Sequence, residues 1–257
     1  MDKSLYDNSF EHDACGIGAI ANIDGRYEHK TIDDALKMLE NMEHRGGTGA
    51  DPETGDGAGI LFQINPELIK LLTDDAQVNP DENKPLGIGM FFLPKIRSVA
   101  NECLSVLEKN AEELNLQIIG YRSVPVDSKV PGVGAKPVEP SVKQVFIQSL
   151  EELTEAELER KLFVLRNCAT HQIANEIKAN NKAFYCCSLS CRKITYKGQL
   201  RTDQLREYYK DLQDERFKTA FAIIHSRFST NTFPNWKLAQ PFHFIAHNGE
   251  INTIRGN

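Results

Sequence analysis

The feature that most restricts how this chain can fold is a change of apolar period. "LGIGMFFLP", beginning at Leu86, is a short continuous apolar run closed by proline. "SVANECLSVLEKNAEELN" then spaces its apolar residues in threes and fours, and "LQIIGYRSVPVD" reads again as a strand. Strand, helix and strand each present an apolar face that must be covered, so sheet has to pack on helix. The order recurs: "VKQVFIQSL" is followed by the charged helix "TEAELERKLFVLRNCATHQIANEI", two strands around Cys186 and Ile194, the shorter helix "RTDQLREYYKDL" and the strand "TAFAIIHSRFS". Near the start, "CGIGAIANIDG" predicts a strand, a turn at Asp24-Gly25 and a second short strand. "TIDDALKMLENMEHRG" predicts an amphipathic helix, with Ile32, Leu36, Leu39 and Met42 apolar, Asp33 and Asp34 near its start and Gly46 after it. Strands of mixed spacing with helices between them predict an α+β fold of antiparallel sheets covered by helices.

Two segments interrupt the pattern. The Pro/Gly-rich "SKVPGVGAKPVEP" gives way at once to a strand, so we read it as an excursion within one domain. "GGTGADPETGDGAGILFQI" packs six glycines ahead of a strand-like run and must be a loop. A phosphate-cradling role is disfavoured, because no Gly-Lys-Ser/Thr ends it and no helix pattern follows directly.

Of the 257 residues, 40% are hydrophobic and 26% charged, the balance of a folded, water-soluble protein and not of a disordered or membrane one. A net charge of -6 with no dense basic run argues against a nucleic-acid partner. "MDKSLYDNSFEHDA" lacks the basic and apolar regions of a secretory signal, so the expected location is cytoplasmic, with no membrane partner. The six cysteines, at 15, 103, 168, 186, 187 and 191, show no framework spacing, and structural disulfides are not expected. Cys186, Cys187 and Cys191 read as packed strand thiols, since no paired Cys-x-x-Cys or His-x-x-x-His accompanies them.

Four separated segments carry reactive polar groups: the region of Cys15, "EHRGGTGADPETGDGAG", "HSRFSTNTFPN" and "AHNGEINT". Singly each is weak. A cysteine beside apolar residues is more often a buried packing residue than a nucleophile. Arg227 could pair a surface carboxylate, and an Asn-Gly pair is more often only a turn. His225, His243 and His247 lack the clustered carboxylates of a metal site, so no metal is expected.

Together these segments resemble a known family. The "DACGIG" start, the "HRGGTGADPETGDGAGI" loop, "SLSCRKITYKG", "HSRFSTNTFPNWKLAQPF" and "AHNGEINTIRGN" occur in the order found in the class II glutamine amidotransferases of glutamate synthase large subunits. These are members of the N-terminal nucleophile hydrolase superfamily. The resemblance implies a four-layer αββα sandwich of two antiparallel sheets and hydrolysis of glutamine to glutamate and ammonia. It implies that residues 1–14 are a propeptide whose removal leaves Cys15 as the N-terminal nucleophile of a domain running over residues 15–257. A thiol of pKa about 8.5 needs a base near neutrality, and a free α-amino group of pKa about 7.7 to 8.0 can serve, whereas an amide nitrogen cannot. By the same resemblance the Asn248 side chain and the Gly249 N–H stabilise the oxyanion, and Arg227 holds the α-carboxylate of glutamine. Phe228, Thr230 and Asn231 line the pocket, and Arg45 organises the site.

The family uses a further acidic residue beyond the Asn-Gly pair to bind the substrate's α-amino group. The sequence ends at Asn257 before reaching it, so the expectation is that the C-terminal part of the fold is missing. The resemblance also implies a synthase domain of the same polypeptide, FMN and an iron-sulfur cluster bound outside this segment, and a small reductase subunit as partner. No cofactor signal occurs in the segment itself. Two alternatives stay open at this point: a non-catalytic module of the same fold, or another class II amidotransferase.

Overall fold

The computed structural model describes residues 16–49, 51–177, 183–229 and 233–243. Within them the strands pair into two antiparallel four-stranded sheets. The first sheet, in the order β1-β8-β2-β7, is built from β1 (Ile17–Ala21), β8 (Phe221–Ser226), β2 (Ala58–Gln63) and β7 (Lys193–Gly198). The second, β4-β5-β3-β6, is built from β4 (Leu116–Ser123), β5 (Ser141–Ser149), β3 (Gly87–Leu93) and β6 (Tyr185–Ser190). The helices are α1 (His29–Asn41), α2 (Pro66–Ala76), α3 (Arg97–Glu113), α4 (Glu155–Glu176) and the short α5 (Gln204–Tyr208). The architecture is the α+β class that the sequence predicts, two antiparallel sheets packed with helices, and it is consistent with the N-terminal nucleophile hydrolase fold.

The period-two alternation of β3 divides the interior. Ile88, Met90 and Phe92 face one core, which they share with Ala58, Ile60 and Phe62 of β2, Ile194 and Tyr196 of β7, Ile224 of β8 and Ile32, Leu36 and Leu39 of α1. Phe91 and Leu93 face the other, where α3 and α4 supply Leu107, Leu158, Leu162 and Leu165. Neighbouring thiols on β6 split the same way, with Cys187 in the first core and Cys186 in the second. Adjacent strand residues point to opposite faces, so these two thiols pack and do not converge on a metal.

Local signals set the helix ends. Thr154 Oγ1 accepts from the Glu157 N–H at 3.3 Å and the Glu157 carboxylate accepts from the Thr154 N–H at 2.8 Å, a reciprocal capping box that starts α4. Asn65 Oδ1 accepts from Leu68 N–H at 2.9 Å and Pro66 opens the next turn, which starts α2. That helix has no counterpart in the sequence reading, although "NPELIKLL" carries both signals. The second strand predicted after Asp24-Gly25 is absent from the described residues. Gly25 turns the chain at φ 70°, and the only ladder contact that follows is an isolated bridge from Glu28 to Thr219, before α1 begins at His29. The stretch "RTDQLREYYKDL" is broken into α5 and a 3-10 turn over Lys210–Gln213.

Candidate active site

β8 lies between β1 and β2, with His225 opposite Ile17 on one side and Gly59 on the other. Where it ends, the chain is gripped from both sides. Ser226 N–H donates to Gly16 O at 2.5 Å, Arg227 N–H to Gly57 O at 2.8 Å, and Gly47 N–H to Arg227 O at 3.0 Å. Three segments far apart in sequence, the chain start, the glycine loop and the end of β8, meet here through backbone hydrogen bonds.

Arg227 is 9% exposed. Its Nη1 donates to Asp56 O at 3.1 Å and its Nη2 to Ser229 Oγ at 3.0 Å. Burial lowers its pKa below the usual guanidinium value, and the neighbouring Asp56 carboxylate opposes that shift. These bonds fix the orientation of a planar fork of donors, the group suited to two-point recognition of a carboxylate.

Asp56, absent from the sequence-based candidates, is the residue that shapes this turn. It is buried, and its Oδ2 accepts from Ser229 N–H at 2.7 Å while its own carbonyl takes the Arg227 guanidinium. The one available signal was its place in "TGDGAG", between two glycines of a segment read only as a loop. The loop is in fact internally bonded: Gly49 N–H reaches Thr54 O, Thr54 N–H reaches Asp51 O and Asp56 N–H reaches Gly47 O. Those amides are taken up by the loop's own carbonyls, which removes the anion-cradling reading. Asp51 Oδ2 also accepts from Thr54 Oγ1 and from Val133 N–H, tying the loop to the "SKVPGVGAKPVEP" excursion.

Of the sequence-predicted residues, Arg227 and Phe228 stand together at the end of β8, and Phe228 is 65% exposed. Arg45 is half-buried at the end of the 3-10 turn Glu43–Arg45, and the next residue, Gly46, packs against the Ser226 side chain. Cys15, Thr230, Asn231, Asn248 and Gly249 lie outside the described residues. Gly16, to which Cys15 is bonded, is the residue whose carbonyl accepts Ser226 N–H.

Among the described residues no cluster of three or more His, Cys, Asp or Glu side chains could hold a metal ion. His243 is pushed down to about 3 by burial and by the positive charges of Arg166 and Lys197, which keeps the ring neutral. No helix among them is long and apolar enough to cross a membrane.

Comparison with known proteins gives this geometry a family. The model of the class-II glutamine amidotransferases matches residues 15–257. The ferredoxin-dependent glutamate synthase of Spinacia oleracea chloroplasts is 41% identical over 254 residues, covering 99% of this chain and 16% of that protein. The large chain of the NADPH glutamate synthase of Bacillus subtilis is 42% identical over 256 residues, with the same coverage of 99% and 16%. The NADH glutamate synthase of Saccharomyces cerevisiae is 42% identical over 265 residues, again covering 99% of this chain but 12% of that protein. The chain thus spans a small fraction of the length of the relatives it matches.

Proposed function

This chain belongs to the class-II glutamine amidotransferases, and from that premise we propose that it hydrolyses glutamine to glutamate and ammonia with Cys15 as nucleophile. The observation that supports the reading is that Ser226, the neighbour of Arg227, is bonded to Gly16, the residue that follows Cys15. A buried, hydrogen-bonded guanidinium sits at the end of β8, and the strand start that Cys15 precedes is bonded to that same turn.

In this proposal, loss of residues 1–14 converts the Cys15 nitrogen from an amide to an amine. The amine takes the thiol proton as Sγ attacks the side-chain carbonyl carbon of glutamine. The tetrahedral oxyanion is held by the Asn248 side chain and the Gly249 N–H, and a donor of this kind is worth about 2.7 to 4 kcal/mol in a protease. The protonated amine gives its proton to the departing nitrogen, the C–N bond breaks, and ammonia leaves a γ-glutamyl thioester. Water then adds to the thioester, the C–S bond breaks, and glutamate and the thiol are regenerated. Arg227 fixes the α-carboxylate throughout, Phe228, Thr230 and Asn231 line the pocket, and Arg45 supports the loop beside it.

The relatives' names extend the proposal to the intact protein: ammonia released here feeds glutamate synthesis in a synthase domain of the same polypeptide. FMN, an iron-sulfur cluster and a small reductase subunit belong to that larger assembly, and no step of glutamine hydrolysis runs through them. The test is ammonia release from glutamine by the full polypeptide, with intact mass as a second readout. Wild type is expected to begin at Cys15 and to release ammonia, and Cys15→Ala to retain residues 1–14 and release none. Ammonia release by Cys15→Ala at the wild-type rate would refute the proposal. A stable, inactive wild-type species beginning at Met1 would favour the non-catalytic module.

A further inference from the structure

Asp56 is 6% exposed, and Gly47 makes room for its carboxylate: a Cβ on Gly47 would stand 2.0 Å from Asp56 Oδ2. Burying a carboxylate costs free energy unless its hydrogen bonds achieve something that an apolar side chain could not. Here Oδ2 accepts from Ser229 N–H at 2.7 Å, the short distance of a charge-assisted bond. Ser229 in turn presents its Oγ to Arg227 Nη2 at 3.0 Å, and the Asp56 carbonyl takes Arg227 Nη1 at 3.1 Å. Asp56 therefore reaches both terminal nitrogens of the guanidinium, one directly through its backbone and one through Ser229.

The main chain closes the arrangement. Asp56 N–H donates to Gly47 O at 2.9 Å, Gly47 N–H to Arg227 O at 3.0 Å and Arg227 N–H to Gly57 O at 2.8 Å. The loop that carries Asp56 is anchored as well, since Gln204 Nε2 donates to Glu53 O at 2.9 Å and Arg201 Nη1 to Pro52 O at 3.0 Å. Both acceptors that Asp56 brings to the fork, its own carbonyl and the Ser229 hydroxyl, are neutral. A neutral acceptor orients a guanidinium without cancelling its charge, whereas a carboxylate paired with the fork would compete with an incoming one.

We propose that Asp56 is a positioning residue whose carboxylate, through Ser229, holds the Arg227 fork in the orientation that recognises the α-carboxylate of glutamine; this rests on the glutaminase reading above. Asp56 acts on the substrate only through Arg227. Loosening the fork weakens recognition of the α-carboxylate, and a substrate that lacks this group loses little.

The experiment uses the full polypeptide and two substrates, glutamine and glutaminamide, in which a neutral amide replaces the α-carboxylate. Asp56→Ala is expected to lower kcat/KM for glutamine about tenfold or more, mainly through KM, and to change that for glutaminamide by less than about threefold. Asp56→Asn, which keeps an acceptor for Ser229 N–H, is expected to recover most of the lost preference. Ser229→Ala, a milder change at a half-buried position, is expected to reduce the preference too, and the double variant to lose no more than Asp56→Ala alone. An equal loss with both substrates overturns the proposal, because that would make Asp56 a general support of the fold. An unchanged preference in Ser229→Ala also overturns it, and that measurement stands even if Asp56→Ala does not fold. Wild-type protein that releases no ammonia refutes the glutaminase reading alone; calorimetric binding of glutamine and glutaminamide to the same variants then decides the proposal by the same preference.

Discussion

The helical layer behind the second sheet and the end of the first sheet are built from different materials. In that layer, α3 and α4 meet Phe91, Leu93, Val145 and Ile147 in an apolar core. Asn110, the buried amide of α3, bonds within this layer, to Val106 O at 2.7 Å and to Gln172 at 2.6 Å. At the end of the first sheet the chain buries Arg227, Lys197, Asp56 and His225 within a few residues of one another in the ladder. Desolvating such groups costs free energy that the apolar layer has to offset. The difference separates a scaffold, where shape and area count, from a site, where directed donors count.

That separation can be broken or sharpened by mutation. Leu162→Ala, in the apolar layer, is expected to show the largest loss of stability, about 2 to 5 kcal/mol for a buried leucine, read as a shift of the denaturation midpoint. Glutamine KM should stay at the wild-type value, and a large KM change would mean that scaffold and site are not separable. Lys197→Met should instead change how stability depends on pH. Burial lowers the ammonium's pKa to about 8, against about 10.4 in an unfolded chain. The folded state therefore releases its proton first, the unfolded state binds more protons between those values, and wild-type stability gains from this group as pH rises. Relative to Lys197→Met, wild type should therefore gain up to about 3 kcal/mol of stability between about pH 8 and about pH 10 in paired denaturant titrations. Deleting the Lys197 charge raises the pKa of Cys186, Cys187 and His243, but burial keeps both thiols and the ring neutral in the folded state between about pH 8 and about pH 10 with or without it. A constant gap would mean that the ammonium is not desolvated.

Arg227→Lys removes the two-point geometry and not the charge. KM for glutamine is expected to rise about 10- to 100-fold, from the 1.5 to 3 kcal/mol typical of hydrogen bonds to charged groups, with little change in unfolding. An unaltered KM would take Arg227 out of the pocket. Thr154→Ala, which opens the capping box of α4, should cost about 1 kcal/mol of stability and leave hydrolysis untouched. This smallest effect calibrates how far a local defect in the scaffold stays local.

The helices α1, α3 and α4 and most strands were legible in the sequence because their signals are short-range. Apolar spacing marked α1 and α3, α4 was read as a charged helix, and the Thr154–Glu157 capping box that starts it was present but unread. The same rules were present but unread at Asn65-Pro66, and they misled after Gly25, where strand-like composition found only Thr219 as a bridging partner. In the site, Arg227 was legible only through resemblance. Asp56 and Lys197 were not legible, because a lysine in "ITYKG" has the alternation of a solvent-facing residue and an aspartate between glycines has that of a turn.

The sequence by itself determined the α+β class, the helix ends and the identity of the segments that carry polar chemistry, since each depends on residues within a turn or two of one another. The tertiary structure decided which of those segments touch. Arg227 is bonded to a carbonyl 171 residues away, and Ser229 to a carboxylate 173 residues away. Nothing in local spacing encodes such a distance. Burial follows from the same contacts: whether Lys197 faces water or the carbonyls of Lys237 and Ala239 is settled only when residues 237–242 lie down on the glycines of β2. Desolvation is a property of the packed neighbourhood and not of the residue.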